Sequence, residues 1–349
     1  MNVLMLTPDL DDGNPIVGFA RTWVKRLATR VERLHVIPVM GGDSPASNVL
    51  VHSLGRERGQ GKFCRLWNLY RIMAKVLRQD RPDVVFVHML PLYVLLMAPL
   101  AKAFRVPLIL WYTWGHVDAE LRLAHCLADR IVTASPESFP LKSDRTVVLG
   151  HGIDTEQFCA GRQVENGGNG ILAVNRIAPD KDLETLLQAM TALEMPCHIV
   201  GATDERDRAY RAHLDDLAGE LEIGDRVRFA GPRPYAEMAD QYRACTLFVS
   251  TSVTGSLDKA VLEAMACEKP IVTCNESFRN VLGHHAKDLM FDRGDHQALG
   301  ERVNHLLGLS AEARACLGRE LREIVIQGHD LDGFIDRLVS VFSEAGGKS

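Results

Sequence analysis

Twice along this chain, short runs of wholly apolar residues alternate with amphipathic helical segments, and a polar, glycine-rich break separates the two series. A strand that is apolar throughout has both faces buried, which a parallel sheet covered by helices on either side provides. The first series predicts strands at 3–6, 34–39, 84–88, 108–111, 130–133 and 147–149. Helices are expected between them near 18–30, 65–78, 92–104 and 119–127. The break is GRQVENGGNG, residues 161–170. Strands are then expected at 171–175, 197–201, 227–230, 247–250, 271–274 and 289–291. Helices fall near 183–193, 205–221, 235–244, 259–267 and 297–307, with a helical tail at 311–326 and 331–344. The fold class expected is therefore α/β, with two doubly wound, Rossmann-like domains and a cleft between them. Their bounds are 1–158 and 170–328, with a linker at 159–169 and a last helix at 329–349 that packs back on the first domain.

Composition narrows the function. With 349 residues, 46% hydrophobic and 24% charged, the chain has ample core for two ordinary soluble domains. The eight cysteines are scattered without a CxxC pair or zinc-ligand spacing, which suits a reducing compartment. The start runs straight into a strand, unlike a signal peptide, and the most apolar stretch, 84–100, is broken by His88, Pro91 and Pro99. A cytoplasmic protein is expected. The net charge of −5 hides an asymmetry: residues 1–150 carry 19 Lys and Arg against 13 acids, and 151–349 carry 21 against 32. The first half is thus suited to meeting something anionic.

One stretch carries the strongest chemical signal. Residues 250–274 read STSVTGSLDKAVLEAMACEKPIVTC, a strand end, a turn of small hydroxylic residues, a helix and a second strand. Such a turn presents backbone N–H groups and the positive end of a helix, which suits a diphosphate, although plain βα turns use the same residues. Arg176 and Lys181 follow the first strand of the second series and fall at the same sheet edge, where two cations can clamp a diphosphate. Glu263, among the apolar residues of the helix, could accept from both hydroxyls of a ribose. His116, in LWYTWGHVD, follows a strand of the first series and could act as polar contact or base, and His88 and His151 hold similar positions. Neither GxGxxG nor the P-loop pattern occurs.

Of two DxD triplets, Asp330-Leu331-Asp332 precedes the last helix and is better explained as an N-cap, and Asp9-Leu10-Asp11 lies in an acidic loop without neighbouring ligands, so no metal is called for. Residues 55–81 carry eight Lys and Arg against two acids, interleaved with Phe63, Trp67 and Tyr70. That pattern fits an anionic membrane surface or an amphipathic helix packed on its own sheet. Nucleic acid is a poorer fit, because no basic stripe appears elsewhere.

Taken in order, NRIAPDKDLETLLQAM, IVGATDERDR, DRVRFAGPRPYAEMADQYRACTLFVSTS and LEAMACEKPIV resemble retaining glycosyltransferases of family 4, with the GT-B fold. The segments RPDVVFVH, ADRIVTASPESF and GHGIDTEQF look like the strand-end loops of that family's first domain. The resemblance implies that Arg176 and Lys181 grip the donor diphosphate and that Glu263 is the second carboxylate of a Glu-x7-Glu motif holding the ribose. Gly18 matches a glycine loop near the reaction centre, and Val200–Gly201 and Arg233–Tyr235 fall where the base is read. Gly255, Ser256 and Leu257 match the loop whose amides bind phosphate and sugar. Two departures stand out: Gly255 occupies the place of the first glutamate, and Trp114 the place expected for a histidine. Asp258 is then expected to take the sugar contacts, Lys259 to add a phosphate cation and His116 to compensate.

The reading implied is transfer of a sugar, with retention, from a nucleoside-diphosphate sugar to a glycan or lipid-linked acceptor in cell-surface glycan or glycolipid synthesis. No cofactor or metal is expected, and peripheral contact with the inner membrane face is. A non-hydrolysing sugar-nucleotide epimerase and a non-catalytic pseudo-transferase remain the alternatives. Donor base, sugar and acceptor are not encoded legibly.

Overall fold

The computed structural model describes residues 1–11, 18–161 and 170–347, so most of the expected linker lies outside the described residues. Two compact units emerge, one of Met1–Gly152 with Leu331–Ser349, the other of Ile153–Asp330.

The first unit holds seven parallel strands: β1 (Asn2–Thr7), β2 (Arg33–Pro38), β3 (Val49–Val51), β4 (Val84–His88), β5 (Leu108–Trp111), β6 (Arg130–Thr133) and β7 (Thr146–Val148). Their order across the sheet is β3-β2-β1-β4-β5-β6-β7. The sheet is buried as its apolar runs require, with every residue of β4 buried. The helices that cover it from within this stretch are α1 (Phe19–Ala28), α2 (Lys62–Gln79), α3 (Pro91–Ala103) and α4 (Ala119–Leu127). Strand β3 has no counterpart in the sequence expectations, since three residues are too few to show a pattern.

The second unit is a five-stranded parallel sheet of β8 (Ile171–Val174), β9 (Cys197–Val200), β10 (Val227–Gly231), β11 (Leu247–Ser250) and β12 (Ile271–Thr273), ordered β10-β9-β8-β11-β12. Around it run α5 (Leu183–Ala189), α6 (Arg208–Glu220), α7 (Met238–Ala244), α8 (Lys259–Ala266), the short α9 (Arg279–Leu282) and α10 (Ala286–Leu289), α11 (His296–Gly308) and α12 (Ala311–His329). The strand expected at 289–291 is corrected to a single bridge between Thr273 and Met290, because Leu289 already ends α10.

The last helix, α13 (Leu331–Ala345), belongs to the first unit. Its Phe334 ring stands 4.4 Å from Trp23 and 5.1 Å from Trp111, and Phe342 stands 5.1 Å from Phe86. Both phenylalanines are fully buried, each worth about 2–3 kcal/mol in area removed from water. Arg30, two residues beyond α1, pairs with Asp332 at 2.8 Å and Asp336 at 2.9 Å, which ties the end of α1 to α13. Among the described residues no helix is long and apolar enough to cross a membrane.

Candidate active site

In an open parallel sheet the strand order reverses at one place, and the loops leaving the two strands there diverge to opposite faces, opening a crevice. In the second unit that place lies between β8 and β11, which are hydrogen-bonded neighbours. Asn175, Arg176 and the turn to Lys181 leave the carboxyl end of β8, and residues 251–258 leave that of β11. The topology therefore brings the two cations and the hydroxylic turn to one crevice.

The two loops are laced together. Lys181 Nζ donates to Ser252 Oγ at 3.0 Å, Thr251 Oγ1 to the Lys181 carbonyl at 2.7 Å, and the Val253 amide to the Asp180 carbonyl at 3.2 Å. From Ser252 a chain of hydroxyls continues to Thr254 and on to Ser256, each step 3.3 Å. Arg176 and Lys181 are not solvated surface cations, their side chains being only 23% and 16% exposed. Asp180 lies between them, 3.3 Å from Arg176 and 3.7 Å from Lys181, and Asp204 and Asp207 also face the guanidinium at 3.4 and 3.7 Å. Three carboxylates hold Arg176 in place, so an entering anion competes with Asp180 for both cations. At the root of the crevice Asn175 Nδ2 is buried without a hydrogen-bond partner, a donor left over for something else.

Gly201, at the end of β9, packs so closely that a Cβ there would collide with the Asn175 carbonyl. Gly255 has φ +72° with open space around it, and its carbonyl accepts from Ser277 Oγ at 2.5 Å. The next carbonyl, of Ser256, accepts from Asn275 Nδ2 at 2.7 Å, and Leu257 is buried beneath. The turn is thus held from behind by residues that follow β12.

Asp258 caps α8 by accepting from the Ala260 amide at 3.2 Å, and its other oxygen accepts from Ser250 Oγ at 2.9 Å. The carboxylate expected to contact sugar is thus engaged in shaping the turn. Lys259 lies along α8 with its ammonium 2.6 Å from both Glu263 Oε1 and the Tyr235 hydroxyl. Glu263 is 5% exposed and also accepts from the hydroxyls of Tyr235, at 3.0 Å, and Tyr242, at 2.9 Å. Burial, reinforced by the Glu263 charge, pushes both phenols well above their ordinary range, so they remain donors. Burial also lowers the Lys259 ammonium, against the opposing pull of Glu263. Tyr242 went unnoticed in the sequence, although its spacing of seven from Tyr235 places both on one side of the segment that ends in α7.

The remaining expected residues belong to the first unit. Gly18 precedes α1 at φ −55°, a conformation open to any residue. His116 is exposed in the loop after β5, its ring 5.8 Å from that of Trp114, and its carbonyl accepts from Tyr112 at 2.7 Å. The strand order of this sheet reverses between β1 and β4, where Thr7 Oγ1 and His88 Nδ1 meet at 3.0 Å. Full burial lowers the His88 imidazole to about 3, so it is neutral, with Nε2 unpartnered. Of the DxD acids, Asp9 turns inward to the amides of Leu10 and Asp11, and Asp332 pairs with Arg30.

Residues 155–323 match the family described as Glycosyl transferases group 1. The D-inositol 3-phosphate glycosyltransferase of Frankia alni is 33% identical over 146 residues, 37% of this chain and 36% of that protein. The alpha-monoglucosyldiacylglycerol synthase of Streptococcus pneumoniae is 26% identical over 164 residues, 46% of this chain and 36% of that one. The matched stretches therefore span about a third of these relatives. Among solved structures, Anabaena HepE in complex with UDP and glucose superposes with TM-score 0.78 at 19% identity, covering 98% of this chain and 99% of that. The sucrose-phosphate synthase of Thermosynechococcus elongatus gives 0.81 at 18%, covering all of both. The chain accordingly has the GT-B fold, and within its second unit residues 155–323 are similar to the group 1 glycosyl transferases.

Proposed function

We propose that the protein transfers a sugar from a nucleoside-diphosphate sugar to a glycan or lipid-linked acceptor, with retention at the anomeric carbon. The observation that carries this reading is the joining of Lys181 to Ser252, which sets a cation against a hydroxyl- and amide-rich turn at the point of strand reversal. Arg176, Lys181 and the start of α8 then neutralise the charge that develops on the departing diphosphate, a task asking nothing of a metal. Asn175, with a buried donor to spare at the root of the crevice, is then offered to the rest of the nucleotide. The relatives named for inositol phosphate and diacylglycerol acceptors and the fold neighbours bound to UDP and glucose agree with this class of chemistry.

The acceptor side is placed on the first, basic unit. Phe63 and Trp67, one turn apart on α2, are 89% and 72% exposed among the Lys and Arg of residues 55–81. Such a face suits peripheral attachment to an anionic membrane, where a lipid-linked acceptor resides. A cytoplasmic enzyme at the inner face, working in cell-surface glycan or glycolipid synthesis, follows.

The deciding experiment is a thermal-shift screen of UDP-, GDP-, ADP- and dTDP-sugars, followed by an assay of transfer to lipid extracts. A donor that raises the melting temperature and is consumed only with acceptor supports the reading. No shift with any nucleotide diphosphate would sink it. A second reading, a sugar-nucleotide-binding protein without turnover, is favoured by Gly255 in place of a glutamate and by the three donors already on Glu263. It predicts the shift without consumption.

A further inference from the structure

Away from the crevice, the second unit gathers two imidazoles and a carboxylate on one surface. His284 and His285 sit in a short 3-10 turn between α9 and α10, and Glu320 projects from α12. One ligand atom from each of the three lies within 4.8 Å of the other two. His285 Nε2 is 3.4 Å from Glu320 Oε2, and the His284 and His285 ring centroids are 3.9 Å apart. Two ligands of a tetrahedral zinc ion, each about 2.0–2.1 Å from it, stand roughly 3.3 Å from one another. The His285–Glu320 pair already has that spacing.

The carboxylate is also oriented. Cys316, one turn earlier on α12, places its Sγ 3.5 Å from Glu320 Oε1, which leaves Oε2 facing His285. Holding one carboxylate oxygen so that the other is presented is what the outer partners of a metal ligand do. The His285 side chain is 12% exposed and fixed by packing, whereas Glu320 is 52% exposed and can close by a small rotation. An ion pair between His285 and Glu320 needs no second histidine. The placement of the exposed His284 against it, ring on ring with His285, is what the ion pair leaves unexplained.

We propose that His284, His285 and Glu320 form a binding site for a late divalent transition-metal ion, zinc by the borderline character of two imidazoles and a carboxylate. The fourth position is left to water. The ion would tie the turn between α9 and α10 to α12. That turn lies in the segment whose first residues, Asn275 and Ser277, hold the carbonyls of Ser256 and Gly255, so the ion would brace the far end of the support behind the donor turn. The site is independent of how sugar transfer proceeds.

The test uses the full chain without a histidine tag, stripped with chelator and titrated with zinc by calorimetry and chelator competition. One equivalent should bind and raise the melting temperature. Glu320→Gln and His284→Asn, both at exposed positions, should each weaken binding by at least about tenfold while leaving the circular dichroism of the apoprotein unchanged. Cobalt in place of zinc should give the visible bands of a tetrahedral ion. Absence of a stoichiometric site, or affinity that neither variant alters, would overturn the proposal.

Discussion

Lys181 Nζ and Ser252 Oγ, from loops leaving two different strands, lie 3.0 Å apart. The ammonium has further donors, so a diphosphate seated on the hydroxyl turn meets a cation already positioned by the protein. Lys181→Ala should weaken UDP or another cognate nucleoside diphosphate by about ten- to a hundredfold, the range of a charge-assisted contact. Uridine or the corresponding bare nucleoside should lose little. Isothermal titration of both ligands checks this, and equal losses would remove Lys181 from the phosphate site.

Glu263 anchors two tyrosine hydroxyls and the Lys259 ammonium in a nearly buried setting. Glu263→Gln leaves that ammonium without its countercharge and should cost about 3 kcal/mol of unfolding free energy. Adding Lys259→Met to the same chain should recover a good part of the loss. Urea melts of the single and double variants read the coupling, and purely additive losses would mean that the pair is not a unit.

Gly255 adopts a left-handed conformation in open space, so a side chain there meets backbone strain and nothing else. Gly255→Ala should therefore cost about 1 kcal/mol. Gly255→Glu, which rebuilds the motif on paper, should pay the same strain and gain no donor affinity. A rise in donor affinity for that variant would show that the turn readily leaves its present shape.

His88 is neutral in the folded first unit down to about pH 3, while an unfolded histidine takes up its proton near 6.5. Between those values the unfolded chain binds more protons, so stability is fully present above pH 6.5 and falls as the solution is acidified, by at most about 1.4 kcal/mol per pH unit. His52, lowered to about 4 mainly by burial, adds a slope of the same sign. Chemical denaturation from pH 7 to 4 should show the decline, and His88→Gln should flatten it.

Phe63 and Trp67 should matter to attachment and not to folding, being largely exposed on α2. Replacing both by Ser should abolish sedimentation with phosphatidylglycerol vesicles, with little change in melting temperature. Retained binding would place the membrane contact elsewhere.

Much of the architecture was legible because buried parallel strands announce themselves as unbroken apolar runs, and β4, β5, β6 and β11 fall where those runs fall. Short elements were not legible: β3 has three residues, and the turns from Glu276 to Leu289 carry no period to read. At the site, Arg176, Lys181 and the turn could be grouped because each follows a strand and so falls at the carboxyl edge of a parallel sheet, whereas the adjacency of β8 and β11 came from the topology. The partners of Glu263 could not, since Tyr235 and Tyr242 lie on a different segment and only packing brings them to α8. The same limit hid the burial of Lys259, whose sequence neighbours suggest only a helix start.

The helix that completes the first unit is encoded after the whole of the second. A ribosome that has finished β7 has made every strand of the first sheet, yet Trp23, Phe86 and Trp111 still lack Phe334 and Phe342. The second unit, continuous from Ile153 to Asp330, can mature while the first waits with an uncovered apolar seam. Synthesis order and order of completion are thus reversed. A nonsense codon just before α13 would spare the second unit and strand the other as a chaperone client.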